Sequence, residues 1–372
     1  MMTRRYGLFL SCLFCAFLFG LMALHLLLPD REKSPVENRT LAQRPAFALS
    51  ALTDGSFMED TEEYLTDQFP FRDGWTGLKA RAEQLLGKRE FHQVYLCGDT
   101  LIHHGDQPGE LAERNLGYVS ALAGKTRLPI YLGLIPTASE VWQGKLPAGA
   151  DRPDQAAFIA GALEKTGLPA IDYLAALTEH REEPVYYRTD HHWTILGAWY
   201  GYNALCSALG ADAVKREDFT PETVSREFNG TLYSQSGIHW LEPDTMEYWV
   251  PEGEISVTSW RTGKPEPSAL YDRSYLSEKD KYSSFLGGNQ PLCLLENPSA
   301  PDGRTLLVVR DSYADSMAPF LAESFQKVVL LDLRTFHRPV AAYAEECGAD
   351  VIVISYSVQN FITDKNLLFL AQ

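Results

Sequence analysis

Two short polar segments carry the residue types that cooperate in nucleophilic catalysis. One reads RTDHHW and contains Asp190 and His192, and the other contains Ser312, three residues beyond the apolar run TLLVV. A serine hydroxyl becomes a nucleophile when a histidine accepts its proton, and a carboxylate then fixes the tautomer of that histidine. An aspartate two residues before a histidine could supply that pair from one loop. The spacing is therefore compatible with a triad of Asp190, His192 and Ser312.

The same residues could instead serve only to cap helices. Serine and aspartate are common N-cap residues, and Ser312, Asp311 and Asp315 all lie where a predicted strand turns into a helix. Asp190 could likewise cap the helix that begins near Thr194. In the catalytic interpretation, the N–H of Ser312 at the helix start could donate to an oxyanion. The residue types alone leave both interpretations open.

A metal site is a third interpretation of the first segment. Asp190, His191 and His192 all have side chains that can bind metal ions. Adjacent residues seldom face one ion, however, and the sequence has no HExxH or similar spacing. We therefore expect no metal at this site and no cofactor.

Alternating strands and helices in the last third of the chain would position the serine. The predicted elements are strand Thr305–Val309, helix Ala314–Ser324, strand Lys327–Leu333, helix Val340–Cys347 and strand Asp350–Ser355. β-Branched runs separated by helices indicate parallel βαβ units. Ligands bind beyond the carboxyl ends of such strands, which is where Ser312 and Tyr356–Asn360 lie.

The rest of the chain predicts further helices and a less regular middle. The predicted elements are helices Phe57–Leu65, Trp75–Leu86, Glu110–Gly124, Gln155–Thr166 and Thr194–Leu209, a hairpin over Val94–Ile102 and a buried strand over Pro129–Ile135. The stretch 228–290 is aromatic and weakly periodic. It predicts an insert or a set of short antiparallel strands.

The charge balance excludes one class of function. The chain has 33 Lys and Arg against 49 Asp and Glu, a formal net charge of −16. Nucleic-acid binding needs a basic face, so we expect no nucleic-acid partner. Without the two arginines of residues 1–28 the remaining chain carries −18. That charge argues against an acidic polymer as substrate and leaves a neutral glycan open.

The first residues form an apolar segment that is long enough to cross a membrane. Tyr6–Leu28 has 23 residues without a charge, about 35 Å as a helix. Arg4 and Arg5 precede it, and the positive-inside rule keeps them cytoplasmic while the rest is exported. We expect an uncleaved single-pass signal anchor over 1–28, a linker and helical arm over 29–87, and one α/β domain over 88–372. A cleaved signal peptide is the alternative.

Two sequence blocks taken together resemble a bacterial protein family. Tyr187–Thr194 reads YRTDHHWT, and about 120 residues later Val309–Ala314 reads VRDSYA. Shorter blocks at Glu37–Arg39 (ENR) and Asp67–Arg72 (DQFPFR) also match. The pattern resembles the DHHW protein family, a branch of the SGNH-hydrolase-like proteins that includes the O-acetyltransferases of alginate modification.

The resemblance implies a fold and a role for each candidate residue. The implied fold is an SGNH-hydrolase-like three-layer α/β/α arrangement with a mostly parallel sheet. Ser312 would be the nucleophile, His192 the base and Asp190 the carboxylate that orients it. Their order in the chain is permuted relative to ordinary SGNH hydrolases, where the serine comes first; triads are defined by geometry, so this is no objection.

Three departures from the SGNH pattern leave the oxyanion contacts unassigned. Arg310 stands where a glycine is usual, the histidine follows the aspartate by two positions rather than three, and no Gly-x-Asn-Asp block is present. Asn229 and Asn360 are the candidate oxyanion or substrate contacts. Arg310 could either contact substrate or support the site from behind.

The implied chemistry is acyl transfer at the cell envelope. An acetyl-enzyme at Ser312 would pass its acetyl group to a sugar hydroxyl or to water, giving O-acetylation or de-acetylation of an extracellular polysaccharide. The resemblance to alginate-type proteins also implies a membrane-bound O-acyltransferase as partner. The alternative is a non-catalytic glycan-binding or assembly protein on the same fold.

Overall fold

The computed structural model describes residues 2–372, with side chains from residue 4 onward, and the chain divides into two compact units. The first comprises the chain up to Lys88 together with Gly237–Trp240. The second comprises Arg89–Ser236 and Leu241–Gln372. All three candidate triad residues belong to the second unit.

Helices dominate the first unit. Its elements are α1 (Met2–Leu27), β1 (Lys33–Ser34), β2 (Arg39–Thr40), α2 (Leu49–Asp54), α3 (Ser56–Asp67) and α4 (Arg72–Leu85). Within α1, Arg4–Leu27 is long and apolar enough to cross a membrane, a test of length and composition that a signal sequence also passes. The polar stretch after α1 holds the short β1–β2 pair and α2, which no periodicity in that stretch predicted.

The two shorter sequence blocks meet in the first unit. Asp67, at the end of α3, is buried and accepts hydrogen bonds from the Arg39 guanidinium at 2.7 Å and the Ala42 N–H at 2.9 Å. Glu37 forms ion pairs with both Arg39 and Arg72. The hydrogen bond from Arg39 holds the pKa of Asp67 below its usual value. These ion pairs connect the segment after α1 to α3 and α4.

The second unit mixes strands and helices. Its strands are β3 (Glu90–Phe91), β4 (Val94–Cys97), β5 (Thr100–His103), β6 (Ile130–Ile135), β7 (Phe219–Phe228), β8 (Asp244–Pro251), β9 (Ser256–Ser259), β10 (Glu266–Ser268), β11 (Leu292–Glu296), β12 (Asp302–Arg310), β13 (Phe325–Leu331) and β14 (Val351–Ser357). Its helices are α5 (Glu110–Ala123), α6 (Ala138–Val141), α7 (Gln155–Thr166), α8 (Tyr173–Glu179), α9 (Ile195–Leu209), α10 (Thr231–Ser236), α11 (Ala318–Ser324), α12 (Val340–Glu346) and α13 (Val358–Thr363). One predicted helix is divided, because the chain after β12 forms a 3-10 helix over Ser312–Asp315 before α11 begins.

A seven-stranded sheet forms the centre of the second unit, in the order β10-β9-β11-β13-β12-β14-β6. Strands β13, β12, β14 and β6 run parallel, as the βαβ pattern predicted. Strands β11, β9 and β10 extend one edge with antiparallel pairing. Two of these, β9 and β10, come from the aromatic stretch 228–290. The carboxyl ends of the four parallel strands share one edge of the sheet, and β12 ends there just before Ser312.

Helices cover both faces of this sheet. Along β12, Leu306 and Val308 belong to a core that includes α9 and α11, whereas Leu307 and Val309 belong to a core that includes α5, α12 and α13. Successive side chains of a strand point to opposite faces, so a strand buried on both sides reads as a continuous apolar run. This arrangement confirms the predicted three-layer α/β/α fold.

Candidate active site

Asp190 and His192 lie in the loop before α9, and the sheet brings Ser312 to them from 120 residues further along the chain. Nδ1 of His192 lies 2.6 Å from Oδ1 of Asp190, and its Nε2 lies 2.8 Å from Oγ of Ser312. The backbone N–H of His192 donates to the same carboxylate oxygen at 2.9 Å. Asp190 is 2% exposed and His192 6%, so these hydrogen bonds form where water competes little. The three side chains form one continuous chain of hydrogen bonds, called the relay below.

Other residues supply the helix caps near the site. The hydroxyl of Thr194 accepts from a backbone N–H of α9 and caps that helix. The carboxylate of Asp311 accepts from the N–H two residues later and caps the 3-10 helix after β12. The structure therefore uses neither Asp190 nor Ser312 as a cap, and both side chains reach the histidine instead.

The turn that carries Ser312 is held by the end of the neighbouring strand. Oδ2 of the buried Asp311 accepts from the N–H of Ser357 at 2.9 Å, from its hydroxyl at 2.7 Å, and from Nδ2 of Asn360 at 2.8 Å. Since β12 and β14 are paired in the sheet, these bonds connect two adjacent strand ends. The position of the serine is thus fixed from both strands.

Residues just beyond β7 hold the second oxygen of Asp190. Thr231 donates to Oδ2 from its N–H at 2.7 Å and from its hydroxyl at 3.0 Å. Gly230 packs so closely that a Cβ there would lie 2.7 Å from Cα of Asp190, and closer still to its side chain. Burial alone would raise the pKa of Asp190, but the adjacent His191 and His192 and these hydrogen bonds bring it well below its usual value. The carboxylate is therefore ionised at neutral pH.

The loop 188–193, which carries Asp190 and His192 and is called the base loop below, is also held by a buried aspartate on β8 and by its own tryptophan. Oδ2 of Asp244 accepts from the N–H of Thr189 at 2.8 Å and from its hydroxyl at 2.6 Å, and Oδ1 accepts from the N–H of Arg188 at 3.1 Å. Nε1 of Trp193 donates to the carbonyl oxygen of Tyr313 at 2.9 Å. The hydrogen bonds to Asp244 fix the loop to β8, and the bond from Trp193 joins it to the turn that carries Ser312.

The second histidine makes a separate set of contacts. Nδ1 of His191 lies 2.6 Å from Oγ1 of Thr231 and 3.6 Å from Oδ1 of Asp190. Desolvation and the neighbouring His192 lower the pKa of His191 to about 4, so it is neutral at pH 7. Ligand atoms of Asp190, His191 and His192 lie within 4.8 Å of one another, as a metal site would need. Both ring nitrogens of His192 are already engaged by Asp190 and Ser312, which favours the relay over a metal site.

A tyrosine from the aromatic stretch contacts the histidine of the relay. Tyr282 lies in the 3-10 helix Lys281–Ser284, and its ring stacks on that of His192 with centroids 3.7 Å apart and 7° between the planes. No motif in the sequence points to Tyr282, Thr231 or Asp244. The aromatic composition of residues 228–290 was the only signal that pointed to any of them.

Arg310, for which the sequence left open either contact with substrate or support from behind, lies behind the site. Its side chain is completely buried, with Nη1 2.9 Å from Asp315 and 3.7 Å from Asp332. It therefore faces carboxylates rather than solvent. Burial raises the pKa of Asp315 to about 7, and the charge of Arg310 opposes that shift. The pair connects the residue before the serine turn with the last residue of that turn.

The two asparagines also make contacts away from the serine hydroxyl. Asn360 donates from Nδ2 to Asp311, as described above. The backbone carbonyl of Asn229 accepts from the Lys279 ammonium at 2.7 Å, and its side-chain oxygen is buried. Across residues 4–372 the recorded hydrogen bonds include none from either asparagine to Ser312.

A known protein family matches the part of the chain that carries the relay. The family model for DHHW proteins matches residues 168–331. This range contains all three relay residues. The resemblance to the DHHW proteins is confirmed. The matched range stops at the end of β13, so β14 and Asn360, which hold the serine turn, lie outside it.

Several solved structures share the fold of this chain. A DHHW family protein from Eubacterium siraeum is 23% identical, with a TM-score of 0.64 over 74% of this chain and 96% of that one. PatB1 from Bacillus cereus with a sulfonyl adduct is 20% identical, with a TM-score of 0.61 over 74% and 98%. Another PatB1 structure gives 22% identity, a TM-score of 0.60 and the same coverage. These similarities show that the chain shares the α/β fold of those proteins. The comparison with curated proteins found no match.

Proposed function

We propose that this protein transfers acyl groups through Ser312, with His192 as general base and Asp190 as the carboxylate that orients the imidazole. The observation that carries the proposal is the relay of 2.6 Å from Asp190 to His192 and 2.8 Å from His192 to Ser312. Both distances lie within hydrogen-bonding reach, so Nδ1 of His192 can donate to Asp190 while Nε2 accepts the proton of the Ser312 hydroxyl. Asp190 and His192 are buried and Ser312 is partly exposed, so the interaction of the first two is weakly screened while the hydroxyl stays accessible.

The reaction would proceed through two half-reactions. Oγ of Ser312 attacks the carbonyl carbon of an ester while Nε2 of His192 accepts the hydroxyl proton. The tetrahedral intermediate collapses, the ester C–O bond breaks, and the imidazolium returns that proton to the departing alkoxide. An acyl ester on Ser312 remains. A sugar hydroxyl or water then attacks this ester with His192 again as base, and the serine oxygen leaves and is reprotonated.

The surroundings of the relay suit both steps. Because Asp190 stays ionised, it can accept the Nδ1 hydrogen of His192 throughout and stabilise the imidazolium that forms. The N–H of Ser312 has no recorded acceptor in the part of the chain that the structure describes. It is therefore available to donate to the developing oxyanion, as an N–H next to the nucleophile does in other acyl-transfer sites.

We assign the substrate class as an O-acetylated extracellular polysaccharide, or one that receives acetyl groups, and the reaction needs no cofactor. The relation to DHHW proteins supports this assignment. A PatB1 structure carries a sulfonyl adduct, and sulfonyl reagents capture activated nucleophiles. We expect the same reactivity of Ser312.

We also propose a location and a division of the chain. Residues 1–28 would form a single-pass anchor with Arg4 and Arg5 in the cytoplasm, residues 29–87 a linker and arm, and residues 88–372 an extracytoplasmic catalytic domain. The support is the apolar segment Arg4–Leu27 with arginines only at its start. A membrane-bound O-acyltransferase at the same surface would be the partner that supplies acyl groups.

The test is turnover of an aryl acetate by the full chain in detergent, together with labelling by an arylsulfonyl fluoride. Ser312→Ala and His192→Ala should each lower turnover by at least about 10³-fold, because the nucleophile or its base is gone. Ser120→Ala is the matched control, since that exposed hydroxyl bonds only to a carbonyl of its own helix. The control should keep wild-type turnover.

Two results would reject the proposal. One is full turnover and full labelling in folded Ser312→Ala. The other is a folded wild-type chain that neither turns over the ester nor reacts with the sulfonyl fluoride. If that inert chain still binds polysaccharide, the glycan-binding alternative replaces the enzyme.

A further inference from the structure

We infer that Tyr282 is a positioning residue for both the base and the nucleophile, so that the aromatic stretch 228–290 completes the catalytic apparatus. The inference rests on the proposed function, because it assigns a role at the same relay. It goes beyond that function by giving catalytic importance to a segment outside both sequence blocks that resemble the DHHW proteins. Its basis is that one tyrosine side chain contacts both the base and the turn that carries the nucleophile.

The ring of Tyr282 covers one face of the imidazole of His192. The two centroids are 3.7 Å apart and the planes differ by 7°. In a parallel stack at this distance the histidine cannot rotate about its side-chain torsions without clashing with the tyrosine ring. The stack therefore restrains the imidazole to the plane in which Nδ1 meets Asp190 and Nε2 meets Ser312.

The hydroxyl of the same tyrosine reaches the serine turn. It lies 3.2 Å from the carbonyl oxygen of Ser312 and 3.0 Å from Oγ of Ser316. Oγ of Ser316 also accepts from Nε1 of Trp193 at 2.9 Å. The base loop, the serine turn and the aromatic stretch are therefore joined at one buried point.

Tyr282 is itself held firmly. It is 4% exposed, and its ring also packs edge-on against Tyr187 and tilted against Phe285. Asp280 caps the 3-10 helix that carries it, by accepting from the N–H and hydroxyl of Ser283. A ring fixed in this way can transmit its own orientation to the histidine.

The stack should matter most when the histidine becomes charged. During attack His192 accepts the serine proton, and the face of a phenol ring attracts the resulting cation. An interaction that strengthens in the transition state raises kcat and leaves KM nearly unchanged. A tyrosine needed only for packing would instead change stability and leave the turnover of folded protein intact.

Two substitutions separate the contribution of the ring stack from that of the hydroxyl contacts. Tyr282→Phe keeps the stack and loses the hydroxyl contacts, so we expect a decrease in kcat of about 2- to 10-fold. Tyr282→Leu also loses the stack, and we expect a decrease of about 10- to 100-fold, with KM of the aryl acetate within about twofold of wild type. The rate of labelling by the sulfonyl fluoride should fall in the same order.

The matched control is Tyr343→Leu. Tyr343 is buried and packs edge-on against Phe336 with centroids 5.0 Å apart, in the core on the face of the sheet opposite to that of Tyr282. Loss of this contact should lower the melting temperature as Tyr282→Leu does and leave kcat of the folded protein within about twofold of wild type.

The outcomes distinguish this inference from the proposed function. A decrease in kcat for Tyr282→Leu that is partly restored in Tyr282→Phe, with Tyr343→Leu active, supports the positioning role. Wild-type kcat in folded Tyr282→Leu, or an equal decrease in Tyr343→Leu, would overturn it while the relay stands. An inert wild-type chain would instead reject the proposed function itself.

Discussion

Replacing Gly230 by alanine tests whether the position of Asp190 controls activity. Gly230 follows β7, and its N–H donates to the hydroxyl of Thr189 at 3.1 Å. A Cβ at this position would lie 2.7 Å from Cα of Asp190 and still closer to its Cβ and Oδ2. Carbon atoms in contact prefer about 3.5 Å or more. Either backbone must therefore move by about 1 Å to admit the methyl group.

A shift of that size is large compared with the tolerance of the relay. The Asp190–His192 contact is 2.6 Å, so a displacement of about 1 Å takes it beyond hydrogen-bonding distance. Misplacing a catalytic group by about 1 Å can cost about 10²-fold in rate, and overpacking a core costs about 1–3 kcal/mol of stability. We expect Gly230→Ala to lower kcat/KM by about 10²-fold and the melting temperature by several degrees.

The assay is hydrolysis of an aryl acetate, measured beside the circular dichroism and thermal unfolding of each variant. Gly117→Ala and Gly161→Ala serve as controls, because both glycines lie within helices and a Cβ there would meet no atom within 4 Å. Both controls should be fully active and slightly more stable, since alanine favours helices over glycine by about 1 kcal/mol. Wild-type kcat/KM in Gly230→Ala would show that the reasoning from this close approach is wrong.

Two further changes test the supports of the site. Asp244→Asn would place an amide group, itself a donor, against the N–H donors of Arg188 and Thr189. We expect the free energy of unfolding, measured by urea unfolding, to fall by about 1–3 kcal/mol and ester hydrolysis to decrease. Unchanged stability would contradict the role of these hydrogen bonds. Asp315 has a raised pKa of about 7 in the folded protein, so it retains a proton there that the unfolded chain loses above about pH 4. Its contribution to the free energy of unfolding therefore falls as pH rises from about 4 to 7, and Asp315→Asn should remove that part of the pH dependence in unfolding titrations. Parallel pH profiles for wild type and Asp315→Asn would refute this assignment.

The sequence was sufficient to predict the core of the fold because its signals there are local. Apolar runs such as that of β12 must be buried on both faces, and their alternation with helices implies parallel pairing. The βαβ pattern places the end of β12 at the ligand-binding edge, which is why Ser312 could be singled out. The loop with Asp190 and His192 was found because two residues of complementary chemistry lie two positions apart.

The supports of the site were not predictable, because they depend on contacts between distant segments. Asp244 meets the base loop from 55 residues away, and Thr231 meets Asp190 from 41 residues away. Tyr282 is one of 18 tyrosines, and nothing in its neighbourhood distinguishes it from the others. Arg310 and Asn360 were selected as polar residues near strand ends. Only the tertiary structure shows that they face Asp315 and Asp311 rather than the serine hydroxyl.

The hydrogen bonds that fix the serine turn from the end of β14 have a consequence for shortened chains. A chain released before Ser357 still contains Asp190, His192 and Ser312, but it lacks the strand that pairs with β12 and the three donors that fix Asp311. We therefore expect shortened chains to contain Asp190, His192 and Ser312 and yet to be inactive toward esters. An ordered serine turn therefore depends on β14, a strand that follows the nucleophile in the chain.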